Sequence, residues 1–180
     1  MKNLNKLAAE VHEANKHWWH HPATGERLTR DKGEMFMLMV SELSEAMEGE
    51  RKSLMDDHLP HRRMAEVELA DVMIRLLDYA GAKKLNLDGN IKGIYLEEMP
   101  DNKGDALLQI VRELAMAREA RDEMIHWETW RLCRVVLMVR RYAAWHGYDL
   151  EAAIAEKREY NAHRADHKPE ARLAANGKKW

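Results

Sequence analysis

The chain has 180 residues, of which 46% are hydrophobic and 33% charged, with a formal net charge of −2 at pH 7. This length fits one domain with a substantial core, and the near balance of charges argues against binding of nucleic acid through a basic surface. A single cysteine, Cys133, excludes an internal disulfide, and the lack of a signal-peptide core or of an apolar run of about 18 residues predicts a cytoplasmic protein without membrane association.

Residues 3–18 carry apolar side chains at helical spacing, which predicts a first helix. The helix runs into Trp18 and Trp19 and then into a turn at residues 22–25. Two roles are open for these tryptophans. They can form a hydrophobic lid on the core, or they can stack on a nucleotide base, because aromatic rings bind bases through their faces.

The second and third predicted helices each carry two acids three positions apart, Glu42 and Glu45 on one, Glu68 and Asp71 on the other. Residues at i and i+3 are neighbours on a helix surface, so antiparallel packing of these helices would direct four carboxylates to one point. Such carboxylates repel one another unless protons or cations neutralise them, and hard divalent cations prefer oxygen ligands. The sequence therefore predicts a Mg2+ or Mn2+ site for a phosphorylated substrate. The alternative is an ordinary solvated helix flank.

A second pair of helices, predicted at 104–124 and 127–148, repeats the acid-bearing pair at offsets of 71 and 63 positions. Glu42 has a counterpart in Glu113, but the other acids are lost in this copy. The positions of Glu45, Glu68 and Asp71 are taken by Met116, Arg131 and Arg134. The second copy is therefore predicted to be a structural repeat without a metal site.

A last helix is predicted over about 149–164. Lys157, Asn161 and Arg164 lie three or four positions apart on it and are expected to share a face. Lysine offers a point charge and arginine a fork of donors to phosphate oxygens, which predicts a substrate-binding surface. A solvated basic helix end is the alternative.

These residues resemble the MazG-like all-α nucleoside triphosphate pyrophosphohydrolases, which are relatives of the dimeric dUTPases. The family pattern is E-x-x-E on one helix, E-x-x-D on the next, and a later K-x-x-x-N with a nearby arginine. In this sequence the pattern is formed by Glu42, Glu45, Glu68, Asp71, Lys157, Asn161 and Arg164. The resemblance covers residues 12–91 and 155–169, and the surrounding sequence is similar to small phage-encoded members.

The chain departs from this family at two points. Some members have a further glutamate where this chain has Ser41, and members usually run from the third helix directly into the lysine-bearing helix, whereas 63 residues intervene here. We therefore expect one domain over 1–180 with two tandem repeats packed as a pseudo-dimer. Its parts are a metal-site repeat (1–91), a degenerate repeat (92–154), a phosphate-binding helix (155–168) and a tail (169–180).

Helical periodicity in every segment predicts an all-α antiparallel bundle. The resemblance implies that this bundle hydrolyses a (deoxy)nucleoside triphosphate, with dATP or dGTP suggested by the phage members, to the monophosphate and pyrophosphate. The four acids would bind Mg2+, with Glu45 also acting as general base, and Trp18 or Trp19 would cover the base. The site would be completed within one chain or by the partner in a homodimer. The alternative function is a non-catalytic helical module that binds nucleotides or has a regulatory role.

Overall fold

A computed structural model describes residues 3–178, except for the side chain of Asp122, and this range is helical without a β-strand. The helices are α1 (Leu4–Asn15), α2 (Lys32–Lys52), α3 (Met64–Lys83), α4 (Leu87–Asn90), α5 (Lys103–Arg118), α6 (Ile125–Trp145), α7 (Leu150–Ala162) and α8 (Pro169–Leu173). The predicted all-α class is confirmed. Within the described range, every helix is too short or too polar to traverse a lipid bilayer.

Several helix ends differ from the prediction. The first helix stops at Asn15, because Lys16–Trp19 tighten into a 3-10 turn. Arg164, expected on the last helix, lies on the turn that follows α7. Within the predicted tail, α8 places Arg172 in a buried position, where its Nη1 donates to the backbone carbonyl of His17 (2.6 Å). Residues 179–180 of that tail lie outside the described range.

Helix α3 positions the site because it packs against α1, α2, α6 and α7. The approach of α1 is closest at Gly81, where a Cβ atom would lie 2.3 Å from the carbonyl oxygen of Ala8. Glycine is therefore the residue that allows this contact. On its other sides α3 packs against α2, which carries predicted acids, and against α7, which carries predicted basic residues. Residues that are far apart in the chain therefore lie close together beside α3.

Local geometry at helix ends recurs at the two offsets found in the sequence. Asp31 and Asn102, which are 71 positions apart, each cap a helix by accepting from a backbone N–H three residues later (2.9 and 3.0 Å). Lys84 and Gly147, which are 63 positions apart, both adopt left-handed conformations at helix ends (φ +54° and +72°). These two pairs of positions share their local backbone geometry, whereas α2 extends to Lys52 and α5 ends earlier in register, at Arg118.

Two buried glutamates connect the halves reciprocally. In each half, a tyrosine hydroxyl and a lysine ammonium bind the glutamate of the other half. Tyr79 (2.5 Å) and Lys32 bind Glu128, and Tyr142 (2.9 Å) and Lys103 bind Glu50. Buried carboxylates need such partners, because an unpaired charge in the core is strongly destabilising.

Candidate metal centre

Three of the four predicted acids meet between α2 and α3. Glu42 from α2 and Glu68 and Asp71 from α3 each contribute one carboxylate oxygen to a group whose atoms lie within 4.8 Å of one another. Glu42 and Glu68 are each 6% exposed, so the group is largely shielded from solvent. Its span is close to that of a single coordination shell, whose oxygens lie up to about 4–5 Å apart around Mg2+ or Ca2+. These carboxylates therefore fit a hard divalent cation.

The fourth predicted acid, Glu45, lies at the exposed edge of the group. Partial burial and the negative charges of Glu42 and Asp71 raise the pKa of its carboxyl. A carboxylate with a raised pKa accepts protons more readily near neutral pH. Glu45 is not among the three acids whose carboxylate oxygens come together.

Two cations compensate part of this negative charge. Arg75 follows Asp71 by one turn on α3, and its Nε donates to Glu42 Oε1 (2.7 Å). Lys157 on α7 is 3% exposed, and its Nζ lies 3.0 Å from Asp71 Oδ2. Lys157 therefore contacts an acid directly, whereas the sequence assigned it to substrate phosphates. Arg75 was not predicted as a site residue. Its position four residues after Asp71 on the same helix could have indicated that it lies beside the acids.

The acids retain a strong preference for protons despite these cations. Burial, followed by the charges of Asp71 and Glu42, raises the pKa of Glu68 to about 9. Burial also raises the pKa of Asp71, although Lys157 opposes this effect. For Lys157 itself burial lowers the pKa, but Asp71, Asp56 and Glu68 together more than offset this and leave the pKa above its ordinary value. A divalent cation would replace the protons that the cluster otherwise holds.

We expect the metal-free protein to lose stability as the pH rises from about 4 to about 9. Glu68 ionises near pH 4.3 in an unfolded chain but near pH 9 in the folded state, so the folded protein holds an additional proton throughout this window. Stability falls with pH wherever the folded state binds more protons. Thermal unfolding in EDTA between pH 7 and 9, above the range in which His167 with its pKa lowered to about 4 has the opposite effect, measures this loss, and Glu68→Gln should reduce the slope. A wild-type Tm that rises over this range would contradict the assignment.

A cavity of about 260 Å3 adjoins the acids. Asp71 and Arg75 form its wall on the side of the three clustered acids, and the remaining wall is rich in basic and polar side chains. These are Asn15, Trp18, Arg30, Asn161, Arg164, His167 and Lys178. The space continues into a neighbouring cavity of about 430 Å3, which shares several of these residues. The combined space is in the range of roughly 300–1,000 Å3 that is typical of small-molecule sites.

Three buried polar atoms on these walls have no hydrogen-bond partner among the described residues. They are Asn161 Oδ1, His17 Nε2 and Arg30 Nε. Each such atom costs about 1–3 kcal/mol when it is left unpaired away from water. Because these atoms are buried behind the cavity surface, a ligand in the cavity could pair them only if neighbouring side chains shifted.

The two predicted tryptophans occupy different environments. Trp18 lines the cavity, and the guanidinium of Arg172 lies over its ring, 4.4 Å from the centroid. Trp19 is 6% exposed, and its indole N–H donates to Asp78 Oδ1 (3.0 Å). Trp19 is thus a core residue, which was one of the two roles left open by the sequence.

Arg164 lies on the cavity wall, as the prediction of a phosphate-binding residue requires. Its guanidinium is held by Asp166 through two hydrogen bonds, from Nε (2.9 Å) and from Nη2 (2.7 Å). This bidentate contact fixes the plane of the guanidinium while leaving other N–H groups for a ligand.

In the segment predicted to be a degenerate repeat, two arginines neutralise Glu113. Arg131 Nη1 lies 2.9 Å from Glu113 Oε2, and Arg134 Nε lies 3.1 Å from Glu113 Oε1. These arginines stand at the positions that Glu68 and Asp71 have in the first copy. Among the residues that the structure describes, the cluster suited to a metal ion belongs to the first copy.

Comparison with protein-family models, with curated proteins and with solved structures finds no match for this chain. Membership of a family therefore stays a prediction from the sequence motifs. The function has to be inferred from the carboxylates, the cations and the cavity beside them.

Proposed function

We propose that this protein is a Mg2+- or Mn2+-dependent hydrolase that converts a nucleoside triphosphate into the monophosphate and pyrophosphate. The proposal depends on one observation, a cluster of three carboxylates of which one, Asp71, also lines a cavity with basic and polar walls. Carboxylates bind the divalent cation, and the cavity beside them has the charge to take the phosphates that such a cation bridges. A purine deoxynucleotide, dATP or dGTP, is suggested by the sequence resemblance alone.

The side chains have separate roles in this reaction. Glu42, Glu68 and Asp71 would hold the metal ion, which when bound polarises phosphate oxygens and lowers the pKa of an attacking water. Glu45, whose pKa is raised, accepts a proton from that water. Arg164 neutralises the charge that develops on the departing pyrophosphate.

Residues on the wall away from the metal cluster are suited to the sugar and the base. Asn161 and His17 line these walls and would contact polar groups of the nucleoside. Trp18 contributes an aromatic ring to the same wall. Lys157 supports the site indirectly, because its ammonium contacts Asp71 and opposes the rise in the pKa of that carboxyl.

We also interpret the chain as a duplicated MazG-like bundle in which two repeats pack as a pseudo-dimer. Support comes from the caps and left-handed residues that recur at offsets of 71 and 63, and from the reciprocal binding of Glu50 and Glu128. Helix α7 packs on α3 of the same chain, and Lys157 contacts Asp71. This contact favours completion of the site within one chain over completion by a partner.

A non-catalytic nucleotide-binding or regulatory module is the second candidate. It is favoured by the pairing of Glu42 with Arg75 and of Asp71 with Lys157, because such pairs can stabilise the cluster without a metal ion. In that case Mg2+ would neither bind with useful affinity nor raise the Tm.

The test is a pyrophosphate-release assay with Mg2+ over all common NTPs and dNTPs, run with wild type, Glu45→Ala and the exposed control Glu10→Ala. We expect release with one or two nucleotides, a loss of about a hundredfold or more in Glu45→Ala, and wild-type rates in the control. Absence of release with folded protein would favour the non-catalytic module. Full activity in Glu45→Ala would remove the general-base assignment.

A further inference from the structure

A second cavity lies in the degenerate repeat (92–154). Some of its wall residues occupy sequence positions that match wall residues of the first cavity in the metal-site repeat (1–91). Four wall positions correspond at the offsets of 71 and 63. Leu38, Asp71, Arg75 and Asp78 of the first cavity have counterparts in Gln109, Arg134, Met138 and Arg141 of the second. Four positions of the second cavity therefore correspond in sequence register to positions of the candidate substrate site, although the second cavity is much smaller.

At two of the corresponding positions the second cavity carries the opposite charge. Arg134 and Arg141 replace the two aspartates, and Arg112 adds a third guanidinium to the wall. The carboxylate of Glu113 is already matched by Arg131 and Arg134. No ion pair joins Arg112 or Arg141 to a carboxylate in the part of the chain that the structure describes. Glu97 also lines the cavity, but it is exposed. The guanidinium groups of Arg112 and Arg141 can therefore bind an anion in this cavity.

Backbone contacts hold the arginines in place. Arg134 Nη1 donates to the carbonyl of Tyr95 (3.1 Å), and Arg141 Nη1 donates to the carbonyl of Glu97 (2.7 Å). Each guanidinium carries five N–H groups, so these contacts leave further donors. Guanidinium groups held in this way suit phosphate oxygens better than flexible lysines do.

The dimensions fit one phosphoryl group with a larger substituent. The cavity measures about 50 Å3, enough for a few water molecules or one small oxyanion. Three residues line both this cavity and a neighbouring open cavity of about 810 Å3, namely Leu96, Met99 and Arg141. Two exposed aromatic residues line that larger space, Tyr95 (81% exposed) and Trp145 (56% exposed). Exposed rings of this kind can stack on a base.

We propose that the second cavity binds the phosphoryl group of a small molecule without a metal ion. Arg112, Arg134 and Arg141 supply the positive charge that a divalent cation would supply in the first cavity. The degenerate copy would then have exchanged a cation-dependent phosphate site for a cation-independent one. This inference concerns a separate site and holds whether or not the first site is catalytic.

Isothermal titration calorimetry in EDTA tests the proposal, with inorganic phosphate, inorganic pyrophosphate and dATP as separate probes. We expect wild type and the control Arg140→Gln, which removes a neighbouring charge on α6, to bind equally. The double variant Arg112→Gln/Arg141→Gln should bind at least tenfold more weakly. Arg112→Gln alone should also bind more weakly, and because Arg112 is exposed this variant should keep the wild-type Tm.

Arg164→Gln separates the two cavities, because Arg164 lines the first and is remote in sequence from the second. Metal-free binding that survives in Arg164→Gln and weakens in the Arg112 and Arg141 variants supports the proposal. Tighter binding of dATP than of pyrophosphate identifies a nucleotide as the ligand, and equal or weaker binding identifies an inorganic phosphate. Binding that is lost in Arg164→Gln but kept in the double variant, or no binding of any probe, overturns it.

Discussion

Replacing Glu68 by glutamine is expected to abolish Mg2+-dependent pyrophosphate release and also to stabilise the metal-free protein. Both effects have one cause. Glu68 is 6% exposed and lies beside Glu42 and Asp71, which together with burial raise its pKa to about 9. Its negative charge is therefore unfavourable without a cation and necessary with one. We expect kcat/KM to fall by about a hundredfold or more, and the Tm in EDTA at pH 8 to rise by several degrees.

Glu66→Gln is the matched control for this prediction. Glu66 lies on the same helix and is 7% exposed, but it binds Arg62 (2.6 Å) and the backbone N–H of Asp149 (2.9 Å) rather than other acids. Its replacement should lower the Tm, while Mg2+ should still raise the Tm of the variant by mass action. A lower Tm in Glu68→Gln, or full activity, would mean that Glu68 acts as a structural acid like Glu66.

The fold class and the acid cluster could be predicted because both depend on local periodicity. The i, i+3 spacing of Glu68 and Asp71 puts them on one face of α3 independently of tertiary contacts. The apolar positions beside them dictate that this face packs near α2, which carries Glu42.

The features that escaped prediction depend on contacts between distant parts of the chain. Lys157 has the spacing of a phosphate-binding residue on α7, but the approach of α7 to α3 turns its ammonium towards Asp71. Trp19 finds the partner for its indole N–H in Asp78, 59 positions away. No periodicity encodes such pairs, since they depend on how the helices cross. For the same reason the cavity beyond Asp71 could not be outlined from the sequence.

Replacing Lys157 by methionine is expected to lower the stability of the metal-free protein, whereas Glu68→Gln is expected to raise it. The ammonium is 3% exposed and 3.0 Å from Asp71 Oδ2, and it also interacts with the charges of Asp56 and Glu68. Methionine preserves most of the apolar stem but leaves the buried carboxylates without this counter-charge. Breaking a buried ion pair from one side costs about 3–5 kcal/mol, so the Tm of the metal-free protein should fall by roughly 10 °C. The exposed control Lys6→Met should change stability by less than about 0.5 kcal/mol.

Two further measurements identify the partner of Lys157. Mg2+ should raise the Tm of Lys157→Met more than that of wild type, because the cation supplies charge that the variant lacks. In the double variant Lys157→Met/Asp71→Asn the loss of stability should be smaller than the sum of the single losses, since removing both charges leaves no unpaired ion. If the losses add instead, Lys157 and Asp71 are not energetically coupled. The lysine would then be free for substrate phosphates, and the assignment made from its spacing on α7 would replace the one made from its contact with α3.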